Sequence, residues 1–148
     1  MQITKNISLK ELTQSQTALR NNLSNEPNQE NIDNLKELCI NVLQPLRDYY
    51  EAPIKITSGY RSEELATLIG SKATSQHCQG EAADFEIPGF DNKQVASHIK
   101  NNFEFDQLIL EYYDDSDINS GWIHCSFRKG NNRKQCLTKD KNGYKEWQ

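Results

Sequence analysis

Between Asn31 and Tyr50 the apolar side chains fall at Ile32, Leu35, Leu38/Cys39, Val42/Leu43 and Leu46, three or four residues apart. That spacing lines one face of an α-helix and predicts the longest helix of the chain. Pro45 lies within it, and a residue that has no N–H to donate predicts a kink or break there. Ser8-Leu9-Lys10-Glu11 has the spacing of a capping box and predicts a short helix toward Asn22, ended by Asn25-Glu26-Pro27-Asn28. A second short helix is expected over Ser62 to Leu68, followed by a Gly70-Ser71-Lys72 turn, and a third over Asp91 to Asn101 with Asp91 as its cap. Pro53 to Thr57 alternates inward and outward as a half-buried strand does. Ala82–Glu86, Asp106–Tyr113 and Gly121–Phe127 read as further strands, with the acidic Asp114-Asp115-Ser116-Asp117 as a loop. Gln135–Thr138 and Tyr144–Trp147 are expected to pair across Lys141-Asn142-Gly143, because Asn-Gly favours a hairpin turn. Helices come first and strands cluster late. The expected fold is α+β, a small, mostly antiparallel sheet with helices mainly on one face, in a single domain over residues 1–148 with no repeat or linker.

Composition narrows the classes of function. The 148 residues are 35% hydrophobic and carry 17 Lys+Arg against 21 Asp+Glu, a net charge of −4. A balance of that sign excludes a general polyanion binder, so no nucleic-acid partner is expected. The chain has no run of about 18 apolar residues and so implies no membrane partner, and Met1-Gln2-Ile3-Thr4-Lys5 lacks the order of a signal peptide. A protein that stays soluble in the cytoplasm where it is made, and a monomer, are the expectations. The four cysteines, Cys39, Cys78, Cys125 and Cys136, form no C-x-x-C pair, and reduced thiols are expected.

The chemistry concentrates in Ser75-Gln76-His77-Cys78-Gln79-Gly80-Glu81-Ala82-Ala83-Asp84. Gly80 permits a sharp turn between the imidazole and the carboxylate, and the two alanines let the strand bearing Asp84 lie close to neighbouring backbone. Asp84 sits between Ala83 and Phe85, where a buried carboxylate needs a cation. In Gly121-Trp122-Ile123-His124-Cys125-Ser126-Phe127, alternation turns Trp122, His124 and Ser126 to one face. His77, Asp84 and His124 together form a three-ligand set that leaves a tetrahedral zinc one open position, and imidazole ligands favour zinc over magnesium or calcium. Each residue alone has a plainer reading: His124 as a hydrogen-bonded core histidine, and Asp84 as the partner of Arg61. Cys78 and Cys125 read as packing thiols, and His98 has no acidic or cysteine partner at ligand spacing.

Ser58-Gly59-Tyr60-Arg61-Ser62, Ser75-x-His77-x-x-Gly80-x-Ala82-x-Asp84 and Trp122-x-His124 resemble the zinc D-alanyl-D-alanine carboxypeptidase family, particularly its short phage-associated branch, over about Leu9 to Trp147. The resemblance implies the hedgehog/DD-peptidase fold, zinc on His77, Asp84 and His124, and hydrolysis of amide bonds in peptidoglycan stem peptides as carboxypeptidase or endopeptidase, in a phage lysis enzyme (endolysin) or a bacterial relative. It makes Arg61 a substrate-binding or transition-state residue, with an ion pair to Asp84 or Glu86 as the alternative. Ser75 and Trp122 join Arg61 as substrate-binding candidates.

One departure bears on catalysis. Many members carry the catalytic Glu three residues before the last metal histidine, and here that position is Gly121. Glu111 is the candidate base in its place, because it interrupts the apolar run Leu108-Ile109-Leu110 where an idle carboxylate would be penalised. A hairpin register with Tyr113 opposite Trp122 would set Glu111 opposite His124. Asp114, Asp115 and Asp117 are alternative bases, and an absent base would leave a non-catalytic, zinc-containing cell-wall binding module.

Overall fold

The computed structural model describes residues 1–147. Seven α-helices, one π-helical turn and six strands are formed among them. Ser8 caps α1 (Leu9–Thr13) with the reciprocal Ser8–Glu11 bonds of a capping box. The expected first helix is in fact two, because Gln14 is extended and Ser15 caps a separate α2 (Gln16–Arg20). The long helix runs as α3 (Gln29–Leu38), a π turn (Cys39–Leu43) and α4 (Gln44–Tyr50). Pro45 therefore does not break the rod. The π turn just before it widens the ladder, with the Gln44 N–H donating to the Cys39 carbonyl five residues back. The remaining helices are α5 (Glu63–Leu68), α6 (Gln76–Gln79) and α7 (Asn92–Asn102), capped by Ser62, Ser75 and Asp91.

The strands are β1 (Lys55–Ser58), β2 (Ala82–Glu86), β3 (Gln107–Glu111), β4 (Trp122–Ser126), β5 (Gln135–Asp140) and β6 (Gly143–Glu146). They form one sheet in the order β1-β2-β4-β3-β5-β6. Every pairing is antiparallel except β3 with β5. The expected α+β class with a mostly antiparallel sheet is therefore observed, and the Asn-Gly hairpin forms between β5 and β6.

Alternation along the central strands divides the sheet into two faces. Ala83, Phe85, Leu108, Leu110, Ile123 and Cys125 point to one side, where they pack with Leu35, Leu38, Leu43 and Leu46 of the long helix and Val95, Ala96 and Ile99 of α7. Phe85, Leu108, Ile123 and the four leucines have no exposed surface. Burying such a side chain contributes about 1.5–3 kcal/mol, so this face holds the fold together. Asp84, Trp122, His124 and Glu111 point the other way. A bulge between Ile56 and Ser58 adds a residue to β1 and sets Ser58 opposite Asp84 on that second face.

Candidate metal centre and cleft

His77 comes from α6, a four-residue helix the hydrophobic pattern does not predict. Its start is fixed by the Ser75 hydroxyl, which accepts from the His77 N–H at 3.2 Å. Its end is fixed by Gly80 at φ +79°, a left-handed conformation in which an added Cβ would lie 2.4 Å from the Asn31 carbonyl oxygen. Asn31 and Asn34 of α3 both donate to the Gln79 carbonyl, at 3.2 and 2.8 Å. The imidazole orientation is set by its Nδ1, 2.7 Å from the Gly59 carbonyl oxygen. That oxygen can only accept, so Nδ1 carries a proton and Nε2 is the nitrogen left to face Asp84.

Nε2 of His77 faces Asp84. It lies 3.4 Å from Asp84 Oδ2, while Nδ1 of His124 lies 2.9 Å from Asp84 Oδ1. The second contact follows from register, since Asp84 and His124 are directly opposed across β2 and β4. One atom from each of His77, Asp84 and His124 lies within 4.8 Å of the others. His77 and Asp84 are only 3% and 9% exposed. Burial opposes the Asp84 charge, but hydrogen bonds from His124 and His77 outweigh it and hold its carboxyl well below the usual carboxylate range. A buried carboxylate kept ionised beside two imidazole nitrogens, one already oriented by a backbone carbonyl, is a donor set suited to a divalent ion.

Arg61 takes up the alternative expected of it. Its Nη2 contacts Asp84 Oδ2 at 3.3 Å and its Nε donates to Ser58 Oγ at 3.0 Å, so the ion pair forms with Asp84. Its side chain nonetheless borders a cleft of about 830 Å³ that also contains Ser75, His77, Asp84, Glu111, Trp122 and His124. Ser75 and Trp122 thus reach the cleft, each with a structural duty as well. Ser75 caps α6, and the Trp122 indole stacks on Tyr112 and donates from Nε1 to Glu111 Oε2 at 2.9 Å.

The hairpin register differs from expectation by two residues. Glu111 pairs with Trp122, and it is Ile109 that pairs with His124. A slip of two leaves every side chain on its expected face, so Glu111 still points into the cleft. Burial, with the Asp84 charge behind it, raises the Glu111 carboxyl above its ordinary value, only partly offset by His124, Trp122 and Lys139. Gly121, three residues before His124, has φ +68° and a Cβ there would lie 2.3 Å from the Glu111 carbonyl oxygen. No side chain fits at 121 without moving β3. Asp114 bonds to Ser116 in the exposed loop, Asp115 pairs with Lys93, and neither lines the cleft. His98 lies elsewhere, stacked on Tyr49 with ring centroids 3.9 Å apart. All four cysteines are free, and burial pushes the Cys39 thiol up to about 12 and the Cys125 thiol upward as well, in keeping with packing roles.

The hydrophobic pattern gave no hint of three features. Asp106, fully buried, accepts from the Arg133 fork, from the Arg133 backbone N–H and from Gln76, next to His77. Lys139 and Tyr144, from β5 and β6, also line the cleft. Among the described residues no helix is long and apolar enough to cross a membrane.

No curated protein matches the chain. The family model described as Peptidase M15 matches residues 5–126, from before α1 to the end of β4, and takes in the three candidate ligand residues together with Arg61 and Glu111. The chain belongs to the peptidase M15 family of metallopeptidases.

Proposed function

We propose that this metallopeptidase uses zinc and hydrolyses amide bonds in peptidoglycan stem peptides, acting as a monomeric lysis enzyme on the bacterial wall once released from the cell that makes it. The observation that carries the reading is the convergence of His77, Asp84 and His124 beside an inward-facing Glu111 in one cleft. Two imidazoles and a carboxylate suit zinc, and the three-ligand count leaves a position for substrate. When bound there, the ion supplies Lewis acidity toward a peptide carbonyl and toward water.

The chain's own groups carry the rest. Glu111, raised above its ordinary value, accepts a proton from the attacking water at one of its carboxylate oxygens and returns it to the leaving amine. The Trp122 indole N–H holds the other oxygen in place. Arg61 borders the cleft beside Asp84 and stabilises negative charge developing on the substrate. The sheet and α6 exclude water from His77 and Asp84, which strengthens each of these interactions.

Purified cell wall incubated with zinc-loaded protein, with and without a chelator, and analysed by mass spectrometry tests the reading. Peptide fragments released only without chelator are expected, and their termini identify the bond cut. A zinc-loaded protein that binds wall and releases nothing would instead make the chain a binding module.

A further inference from the structure

Register places four side chains in one row across the cleft face. Glu111 is opposed by Trp122 on one side and by Lys139 on the other, and Lys139 is in turn opposed by Tyr144. The last two lie on β5 and β6, beyond residue 126 where the family match ends. This hairpin therefore adds to the cleft a wall of its own.

Four cations line that cleft and are unequally occupied: Lys72 is exposed on the loop before α6, and the other three face partners. Arg61 is engaged by Asp84 at 3.3 Å, and the Arg133 fork by Asp106 at 2.9 Å. Lys139 has as its ion pair a contact of 4.0 Å with Glu111 Oε1, at the outer limit of such a pair, and a hydrogen bond with Tyr144. Its ammonium is held over the ring of Tyr144, 5.0 Å from the centroid, and 6.0 Å from that of Tyr112. A cation braced by aromatic faces, 30% exposed and only weakly paired, keeps donors free for an incoming anion. Arg61 and Lys139 also stand on opposite sides of the ligand set, Arg61 beside β1 and β2 and Lys139 on β5.

We propose that Lys139, with Tyr144 beside it, binds a carboxylate carried by the peptide substrate on the far side of the scissile bond from Arg61, and so selects acidic peptides. The inference rests on the peptidase reading. β5 lies two strands from β4, which bears His124, a distance of about 10 Å at ordinary strand spacing. An extended peptide covers that in about three residues, so the carboxylate belongs to a residue two or three positions from the bond that is cut.

The test uses a stem-peptide fragment with its acidic side groups as free carboxylates and the same fragment amidated. Zinc-loaded wild type should prefer the carboxylate form by roughly tenfold in kcat/KM, mostly through KM, as befits a charged hydrogen bond to bound substrate. Lys139→Met should bring the ratio near one, Lys139→Glu should invert it, and Lys139→Arg should retain it. Binding of both fragments is measured in parallel on zinc-loaded Glu111→Gln protein, which holds peptide without the proposed base. Equal handling of the two forms by wild type, or a preference that survives in Lys139→Met, overturns the subsite. Failure of wild type to cut either fragment overturns the peptidase reading alone, because the binding ratio still reports on Lys139.

Discussion

Two buried carboxylates, Asp84 and Asp106, flank α6, and both are held below the ordinary carboxylate range. Their partners differ in kind. Asp106 is fully buried, faces a guanidinium fork, a backbone N–H and the Gln76 amide, and every one of those contacts lies between 2.9 and 3.1 Å. Those partners saturate its oxygens and join the start of β5 to the helix bearing His77. Asp84 faces two imidazole nitrogens at 2.9 and 3.4 Å and shares one oxygen with Arg61 at 3.3 Å. Two of its partners, His77 and His124, could hold a metal ion together with it. Burial and a lowered pKa are therefore common to both acids, and the chemistry of the partners separates the one suited to hold a metal ion from the one that ties segments together.

The largest effect that would sharpen this contrast is on activity. Asp84→Asn should lower peptide release by about a thousandfold or more, because a ligand acts as a unit with its partners. Asp106→Asn should leave turnover within a small factor once the protein is folded. Comparable losses in the two variants, measured with the same wall substrate, would erase the distinction. Next, Glu111→Gln should cut kcat by about 10²–10⁴-fold, the range for removal of a general base, while zinc content by elemental analysis stays at the wild-type value.

Stability reverses the order of the two acids. Asp106→Ala removes the acceptor of the Arg133 N–H and the nearer of the two acceptors of the Gln76 amide, at a cost of about 2–3 kcal/mol in thermal unfolding. The Arg133 side chain is 53% exposed and can turn to water, which keeps the loss from being larger. The sign of the pH dependence follows from the depressed value of Asp106. Its contribution is present above the unfolded carboxylate pKa of about 3.9 and is lost as pH falls through the lower folded value. Acid unfolding of Asp106→Asn should accordingly be less steep than that of wild type. The smallest effect lies on α1: Ser8→Ala removes its capping box and should cost about 1 kcal/mol in chemical denaturation.

Much of this was legible in the residues. Ala82–Glu86 matches its expected bounds, and alternation alone puts Trp122 and His124 on the face opposite Ile123. Period-two patterning is strong where one face packs and the other does not. Helix α6 was not legible, because four residues carry no periodicity and its bounds depend on contacts with Asn31, Asn34 and Gly59 from distant segments. The β3–β4 register was missed by two because the connecting loop is long, and a slip of two preserves the faces that pattern can report. Asp106 and Lys139 were missed for a different reason. Their partners, Arg133 and Gln76 for the one and Glu111 and Tyr144 for the other, are brought near by strand order, and parallel pairing of β3 with β5 leaves no local signal.

Isothermal titration of zinc into chelator-stripped protein tests the shared ligand set most directly. One ion per chain is predicted for wild type, with tight binding lost in both Asp84→Ala and His124→Ala while circular dichroism shows each variant folded. Uptake of one ion at wild-type affinity by either variant would contradict it.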